Sequence, residues 1–409
     1  MKLHLTGPAN DQLNNTITIT GSKSESNRSL LLAALFPDIK IENISNSDDA
    51  QVMAKGLKIS DGTVDIHHAG TAMRFLTGYF SSQEGKEVIL TGSKRMTERP
   101  IKILVDALKS LGAEISYVQE DGYPPIKIKG HKIVKDKVSL PANVSSQYIS
   151  SLLLIAPSLE NGLELELVGK ITSVPYIKMT LALLEEIGVE TSFEGNIIKV
   201  SAKDKVAPTT LVVESDWSSA SYFYGICALA APGTEITLSA YKQKSLQGDS
   251  VLADIYTSFG VETTFGENKI TLRKTDKKVL AENDFDLANA PDIAQTIAVT
   301  CFGLGVGCHL IGLHTLKIKE TDRLEALHTE LSKLGADISV TDKTLTIIPS
   351  KTIIPEVAID TYNDHRMAMA FAPLAMKTTM FVNDAEVVSK SYPDFWNDLK
   401  QLDFSIKEL

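Results

Sequence analysis

The sequence predicts an α/β protein of two domains, each assembled from three copies of one repeated unit, and three observations carry that prediction. The first is a phrase that recurs along the chain: an amphipathic helical run ending in glycine, a short alternating segment, a polar turn and a second alternating segment. It reads "LVDALKSLGAEISYVQEDGYPPIKIKG", "LALLEEIGVETSFEGNIIKVSA", "LADIYTSFGVETTFGENKITLRK" and "LHTELSKLGADISVTDKTLTIIPS". The second is its period. The glycines closing the helical runs, Gly112, Gly188, Gly260 and Gly335, stand 76, 72 and 75 residues apart, and self-similarity at a steady spacing marks a repeated supersecondary unit. The third is length: 409 residues leave room for six such units, the first and last atypical, which is too much chain for a single core.

Each element of the unit has a local cause. Glycine after a helical run is the residue that adopts the left-handed conformation ending a helix. The paired segments alternate apolar and polar side chains, as a half-buried antiparallel ribbon does. Between the repeated helices runs a second set, at 28–36, 71–80, 145–156, 217–231, 292–304 and 364–376. The first unit is worn down: "DDAQVMAKGLKISDGTVDIHH" keeps a short helix without a full strand–turn–strand, and the last ends at "DLKQLDFSIKEL". A proline-containing polar stretch before a strand, "KDKVAPTTLVVESD", sets a boundary near residue 214. The early strand "TITITGS" is assigned to the C-terminal half. The expected domains are 1–20 with 215–409, and an inserted 21–214.

The second helix set carries the unusual residues at its N-terminal ends. "GSKSESNRSLLLAAL" offers Ser22, Ser24 or Ser26 as caps. Lys23 and Arg28 suit that end poorly, because the positive pole of a helix favours anions, so a bound anion accounts for the stretch equally well. Gly70 and Thr71 open "HHAGTAMRFLTGYF", Ser145, Ser146 and Gln147 open "VSSQYISSLLLIAP", and Ser173 and Tyr176 begin "SVPYIKMTLALLEEIG". Asp216, Asp292 and Asp364 open three more. Each reads alone as a cap; several such ends meeting at one cleft would form an anion site. In "LKIKETDRLEAL", Lys317, Lys319, Glu320 and Arg323 crowd one helix start. There Glu320 is either a solvated partner of Arg323 or a proton-transfer group among cations.

Arginine usage favours the anion. Of 41 basic residues seven are arginines, Arg28, Arg74, Arg95, Arg99, Arg273, Arg323 and Arg366, and all but Arg273 fall in these segments or in "KRMTERP" and "KETDRL". The planar guanidinium grips carboxylates and phosphates bidentately, which an ammonium does not. The net charge of −10 argues against a nucleic-acid partner. No apolar signal core or membrane-length run is present, so a cytoplasmic chain without a membrane partner is expected. Cys227, Cys301 and Cys308 are read as lying in apolar helices, which fits a reducing compartment. Neither they, His67–His68, nor "DHR" show metal-ligand spacing, so no metal or organic cofactor is expected. Mononucleotide, dinucleotide, serine-hydrolase and zincin motifs are absent.

"GSKSESNRSL", "AGTAMR", "LTGSKRMTERP", "VSSQY", "SVPYI", "SDWSSASYF", "PDIAQTIA", "IKETDRL", "DHRMAMAF" and "KSYPDFW" occur in the order found in the 3-phosphoshikimate 1-carboxyvinyltransferase (EPSP synthase) family, which the chain resembles from Lys23 to Trp396. The resemblance implies an inside-out α/β barrel architecture, two domains each of three βαβαββ-type units, with the active site in the interdomain cleft. It implies transfer of the enolpyruvyl group of phosphoenolpyruvate to the 5-hydroxyl of shikimate 3-phosphate, by a monomer that engages only these small molecules. By the same resemblance, the inserted domain binds mainly shikimate 3-phosphate and the other mainly phosphoenolpyruvate.

The matching motifs assign Lys23 to both substrates, Ser24 and Arg28 to the shikimate carboxylate, and Ser145, Ser146, Ser173 and Lys319 to its phosphate. Gln147 and Tyr176 line the ring, and Gln147 also faces phosphoenolpyruvate. Arg95, Arg323, Arg366 and Lys390 hold phosphoenolpyruvate, beside Gly70 and Thr71. Asp292 takes the 5-hydroxyl proton, Glu320 with Lys23 moves the proton at the methylene carbon, and His365 supports that end. His68, Phe75 and Thr315 depart from the family's usual Asn, Pro and Asn. Gly70, lacking a Cβ, leaves room that implies glyphosate sensitivity. The rival readings are enolpyruvyl transfer to UDP-N-acetylglucosamine, whose family usually carries a loop cysteine and an Asn where Ser24 stands, and a non-catalytic anion-binding relative. An RNA-end-processing relative is disfavoured by the charge.

Overall fold

The computed structural model describes residues 1–171 and 174–409. The chain packs into two units, one made of Met1–Thr20 with Glu214–Leu409 and the other of Gly21–Val213. Among the described residues there are six sheets, and five share one connectivity. In the inserted unit, Asp61–Asp65 runs parallel to Glu87–Thr91, which pairs antiparallel with Ile126–Lys129, whose far edge takes Glu114–Tyr117. The parallel crossover carries helix Gly70–Ser81, and helix Lys102–Leu111 precedes the hairpin. That is a βαβαββ unit, repeated in the sheet of Lys137–Pro141, Leu163–Val168, Ile197–Val200 and Thr191–Glu194. The worn first unit keeps two strands, Ile39–Glu42 parallel to Thr209–Val212.

The discontinuous unit repeats the plan three times. Asn14–Ile17 pairs with Glu235–Ser239, Asp284–Asp286 with Cys308–Ile311, and Val357–Ile359 with Met380–Val382, all parallel. In the last sheet the hairpin is made from remote pieces: Leu3–Thr6 lies between Met380–Val382 and Ser405–Glu408, antiparallel to both. The four glycines of the recurring phrase all have positive φ. At the corresponding bend of the last unit Asp403 takes φ 63° without glycine's freedom.

The second helix set forms the interior of each unit. Every residue of Trp217–Leu229 is buried, as a helix apolar on all sides requires. It packs on Ala294–Leu304, which packs on His365–Phe371. In the inserted unit Lys23–Leu35, Gly70–Ser81 and Ser146–Ile155 pack on one another in the same way. The sheets lie outside these helices, so each helix has its polar N-terminal turn as its one place for chemistry.

Two expectations are corrected. "LADIYTSFG" is not one amphipathic helix but a single α-helical turn, Leu252–Ile255, flanked by 3₁₀ turns Gly248–Val251 and Tyr256–Phe259. Thr257 Oγ1 donates back to Asp254 O at 2.6 Å, a side-chain bond that competes with the backbone ladder and favours the tighter turn. Cys308 opens the strand Cys308–Ile311 and does not lie in a helix; it is paired with Ile347 across an antiparallel ladder. All three thiols are buried and free, and burial pushes the Cys227 thiol up to about 12. Among the described residues no helix is long and apolar enough to cross a membrane.

Candidate active site

In the inserted unit, the interior helix Lys23–Leu35 starts without the serine cap that its sequence offers. Ser22 occupies the N-cap, but its side chain caps nothing, and Ser26 Oγ instead accepts from Ser45 N at 2.9 Å. Lys23 Nζ lies 3.3 Å from Asp49 Oδ2. Arg28, 3% exposed, donates from Nε to Thr180 Oγ1 at 2.8 Å, from Nη1 to Ser24 O at 2.7 Å and from Nη2 to Ser150 Oγ at 2.9 Å. Its guanidinium stands 5.4 Å from the Phe75 ring centre and 5.8 Å from that of Tyr176. These hydrogen-bond partners are all neutral, and burial pushes the guanidinium down to about 10. A buried cation so placed is costly until an anion joins it.

The second interior helix, Gly70–Ser81, brings Thr71 to Gln147, whose Nε2 donates to Thr71 Oγ1 at 3.1 Å. Ser145 caps Ser146–Ile155 by accepting from Gln147 N at 3.3 Å, and Ser146 begins that helix. Arg74 is buried and donates to Pro100 O at 3.0 Å. Above Gly70 sits Arg99: a Cβ on Gly70 would stand 2.7 Å from Arg99 Nη1. Arg95 is not brought there. Its side chain is 72% exposed and pairs with Glu98 at 3.3 Å. The two arginines are told apart by their place: Arg95 lies exposed on the short turn Lys94–Thr97, whereas Arg99 follows its C-cap Glu98 and is half-buried. Ser173 lies outside the described residues.

In the discontinuous unit the structure gathers Asp292, Lys319, Glu320, Arg323, Arg366 and Lys390 into one network. Arg323, 2% exposed, donates from Nη1 to Asp292 Oδ1 at 2.9 Å, from Nη2 to Glu320 Oε2 at 2.9 Å and from Nε to Asp364 Oδ2 at 2.7 Å. Lys390 Nζ reaches Glu320 Oε1 at 3.1 Å and Lys319 Nζ lies 3.4 Å from Asp292 Oδ1. Arg366 donates to Asp292 O at 3.2 Å and to Ser218 Oγ at 3.2 Å, and its Nη2 lies 3.4 Å from Asp292 Oδ2. His365 is buried, its Nδ1 3.7 Å from Asp364 Oδ1.

Several of these carboxylates read from sequence as helix caps. Asp216 is one, accepting from Ser219 N at 2.9 Å. Asp364 caps through Arg366 N at 2.9 Å and also holds Arg323. Asp292 is not a cap; it sits in the 3₁₀ turn Pro291–Ile293 and spends its carboxylate on the cations. Burial alone would raise its pKa, but Lys319, Arg366 and Arg323 outweigh that and hold it well below the ordinary carboxylate range. Asp249 was missed altogether. It accepts from Ser218 Oγ, and burial with the neighbouring Asp292 charge pushes it up to about 6. Four cations, Lys319, Arg323, Arg366 and Lys390, thus surround the three carboxylates Asp292, Glu320 and Asp364. Such a set has the charge and geometry to hold a small polyanion, with carboxylates beside it of the kind that transfer protons.

In fold the chain is of the enolpyruvyl transferase class: it superposes on the enolpyruvyl transferase NikO from Streptomyces tendae with TM-score 0.73, at 14% identity over 99% of this chain and 98% of the other. The fit is better to a structure of EPSP synthase from Acinetobacter baumannii, TM-score 0.83 at 21% identity over the full length of both. The chain belongs to the EPSP synthase (3-phosphoshikimate 1-carboxyvinyltransferase) family, whose model matches residues 8–61 and 59–399. It is 44% identical to the 3-phosphoshikimate 1-carboxyvinyltransferase of Bacteroides fragilis strain YCH46, over 100% of this chain and 99% of that protein. To the protein of that name from Haemophilus influenzae it is 36% identical, over 95% and 96%.

Proposed function

We propose that the chain transfers the enolpyruvyl group of phosphoenolpyruvate to the 5-hydroxyl of shikimate 3-phosphate, releasing phosphate, as a step of aromatic amino acid biosynthesis. The observation that carries this reading is the cation-rich network around Asp292 and Glu320. Its cations suit the phosphate and carboxylate of phosphoenolpyruvate, and its two carboxylates suit the two proton transfers the reaction needs. In the inserted unit Arg28, with Ser24, receives the shikimate carboxylate, Ser145, Ser146 and Ser173 its phosphate, and Tyr176 and Gln147 its ring. Lys319 adds to the phosphate grip, and Lys23 serves both substrates.

The chemistry follows from these roles. Glu320 delivers a proton to the methylene carbon, C2 becomes cationic, and the 5-hydroxyl oxygen bonds to C2 as its proton passes to Asp292. The resulting ketal returns a methyl proton to Glu320 and expels phosphate by breaking the C2–O bond, and the phosphate leaves with the proton that Asp292 took. Arg323, Arg366 and Lys390 stabilise the charge on the departing phosphate. Asp292 is a weak base while three cations face it. A bound phosphate takes up part of that field, so substrate binding itself makes the carboxylate more basic. The reading extends to a cytoplasmic protein that engages no nucleic acid, supported by the charge of −10 and three free thiols, and to a monomer on the family resemblance alone.

The deciding experiment measures phosphate release from phosphoenolpyruvate in EDTA, with shikimate 3-phosphate or UDP-N-acetylglucosamine as acceptor. Release with shikimate 3-phosphate alone is expected. Release only with the nucleotide sugar overturns the acceptor, and silence with both leaves an anion-binding protein.

Arg99, not Arg95, is the arginine we assign to phosphoenolpyruvate. Arg99→Ala is expected to raise the KM for phosphoenolpyruvate about tenfold to a hundredfold, the loss of one charge-assisted hydrogen-bond pair. Arg95→Ala should leave it within about twofold, since exposed ion pairs contribute little. Gly70→Ala, which displaces Arg99, should shift the KM in the same direction, and glyphosate is expected to compete at this place in the unaltered protein. Equal effects of the two arginine variants would overturn the assignment.

A further inference from the structure

The geometry points to Glu330 as a positioning residue that aims the Asp364–Arg366 segment, an inference that rests on the proposed role of Arg366 as a phosphoenolpyruvate ligand. Asp364 N donates to Thr361 O at 2.8 Å, closing a four-residue turn. Both central residues are left-handed, Tyr362 at φ 53° and Asn363 at φ 55°. A turn with two left-handed centres suits Gly and Asn, and a bulky tyrosine there is strained. The strain persists only if the surroundings over-determine it.

Glu330 does that. It lies at 0% exposure on helix Arg323–Lys333. Its Oε1 accepts from Tyr362 Oη at 2.6 Å and its Oε2 from Asp360 N at 3.1 Å. Lys333 Nζ, 2.8 Å from both oxygens, supplies the countercharge. At the start of the same helix, Arg323 Nε grips Asp364 Oδ2 at 2.7 Å. Residues seven apart lie two turns along one helix face. One rigid helix therefore clamps the turn from before its left-handed pair and from after it. Beyond the turn Asp364 caps the helix on whose first turn Arg366 stands. The conformation at Tyr362–Asn363 thus sets where Arg366 points, and Glu330 holds that conformation without touching the reacting groups.

The test compares Glu330→Gln, Asn363→Gly, the double variant and Arg366→Ala with the unaltered protein. Glutamine keeps the shape but offers one acceptor oxygen where the turn and Lys333 use two. E330Q is expected to raise the KM for phosphoenolpyruvate about tenfold, with the KM for shikimate 3-phosphate within about twofold. Hydrogen exchange over residues 360–371 should accelerate while that over 217–229 stays unchanged. Glycine enters the left-handed region more readily still than asparagine and so favours the same turn, and N363G is expected to recover at least about threefold of the lost KM in the E330Q background. Unchanged exchange over 360–371 overturns the proposal, as does a parallel rise in both KM values that N363G does not relieve. If R366A leaves the phosphoenolpyruvate KM unaltered, the role of Arg366 fails on its own result. If R366A raises that KM and E330Q does not, the positioning role alone fails.

Discussion

Arg28→Met is expected to raise the KM for shikimate 3-phosphate by about a hundredfold while leaving the unliganded protein as stable as before, or more so. Truncating an ordinary buried arginine does the opposite, because it strands a carboxylate. Arg28 has only neutral hydrogen-bond partners, and Thr180 Oγ1 and Ser150 Oγ already bond each other at 3.0 Å, so its loss strands neither. What disappears is a desolvated charge whose hydrogen-bond partners are all neutral and which the nearby Glu25 offsets only in part and, on the ligand side, a charge-assisted pair to a carboxylate, about 1.5–3 kcal/mol. A pH series gives an independent sign. Burial lowers the folded-state pKa to about 10, below the unfolded value, so the folded chain sheds this proton first. The contribution of Arg28 to stability therefore climbs as pH rises through about 10; the methionine variant lacks that climb, so the unaltered unliganded protein gains on it across this range. Urea midpoints between about pH 8 and about pH 11 would show it. A large loss of stability with an unaltered KM would show that Arg28 is structural.

Glu320→Gln is expected to lower kcat by about a hundredfold to ten-thousandfold, the usual range for a lost proton-transfer group. Its KM for phosphoenolpyruvate should stay level or fall. The fall follows from the charge balance: Glu320 occupies Arg323 Nη2 and Lys390 Nζ, and a neutral amide returns part of both cations to the phosphate. A residue that merely balanced charge would show the tighter binding without the slow turnover. Solvent proton exchange into the methylene of bound phosphoenolpyruvate gives the second readout, and exchange at the unaltered rate would remove Glu320 from the role.

Much of this architecture was legible because its causes are local. Glycine at the end of a helical run and alternation in the strands depend on neighbours in sequence, and they mark four of the six copies of the repeated unit. The site was legible in part. Lys319, Glu320 and Arg323 are adjacent in sequence, so their crowding shows. That Arg323 also holds Asp364, 41 residues on, has no local trace, and Asp364 alone reads as a cap. Asp292 misleads in the same way, since an aspartate before an apolar helix caps far more often than it meets three cations. Arg99 and Arg95 stand four residues apart in one motif, and only the fold shows that Arg95 is exposed on the short turn while Arg99, past its end, sits over Gly70. Asp249 lies in "LQGDSVLAD", where no periodicity or cap draws the eye.

The strand Leu3–Thr6 has a consequence for how the molecule comes to be made. Its neighbours in the sheet, Met380–Val382 and Ser405–Glu408, are translated about 20–80 s later at ordinary elongation rates. During that interval Gly21–Val213, whose sheets draw on no residue outside it, is complete and free to fold on the ribosome. Leu3 and Leu5, both core residues, wait without partners until the last sheet can assemble. Pairing across so long a separation is slow to nucleate, so the rate-limiting event in refolding is expected to be the capture of this one short segment.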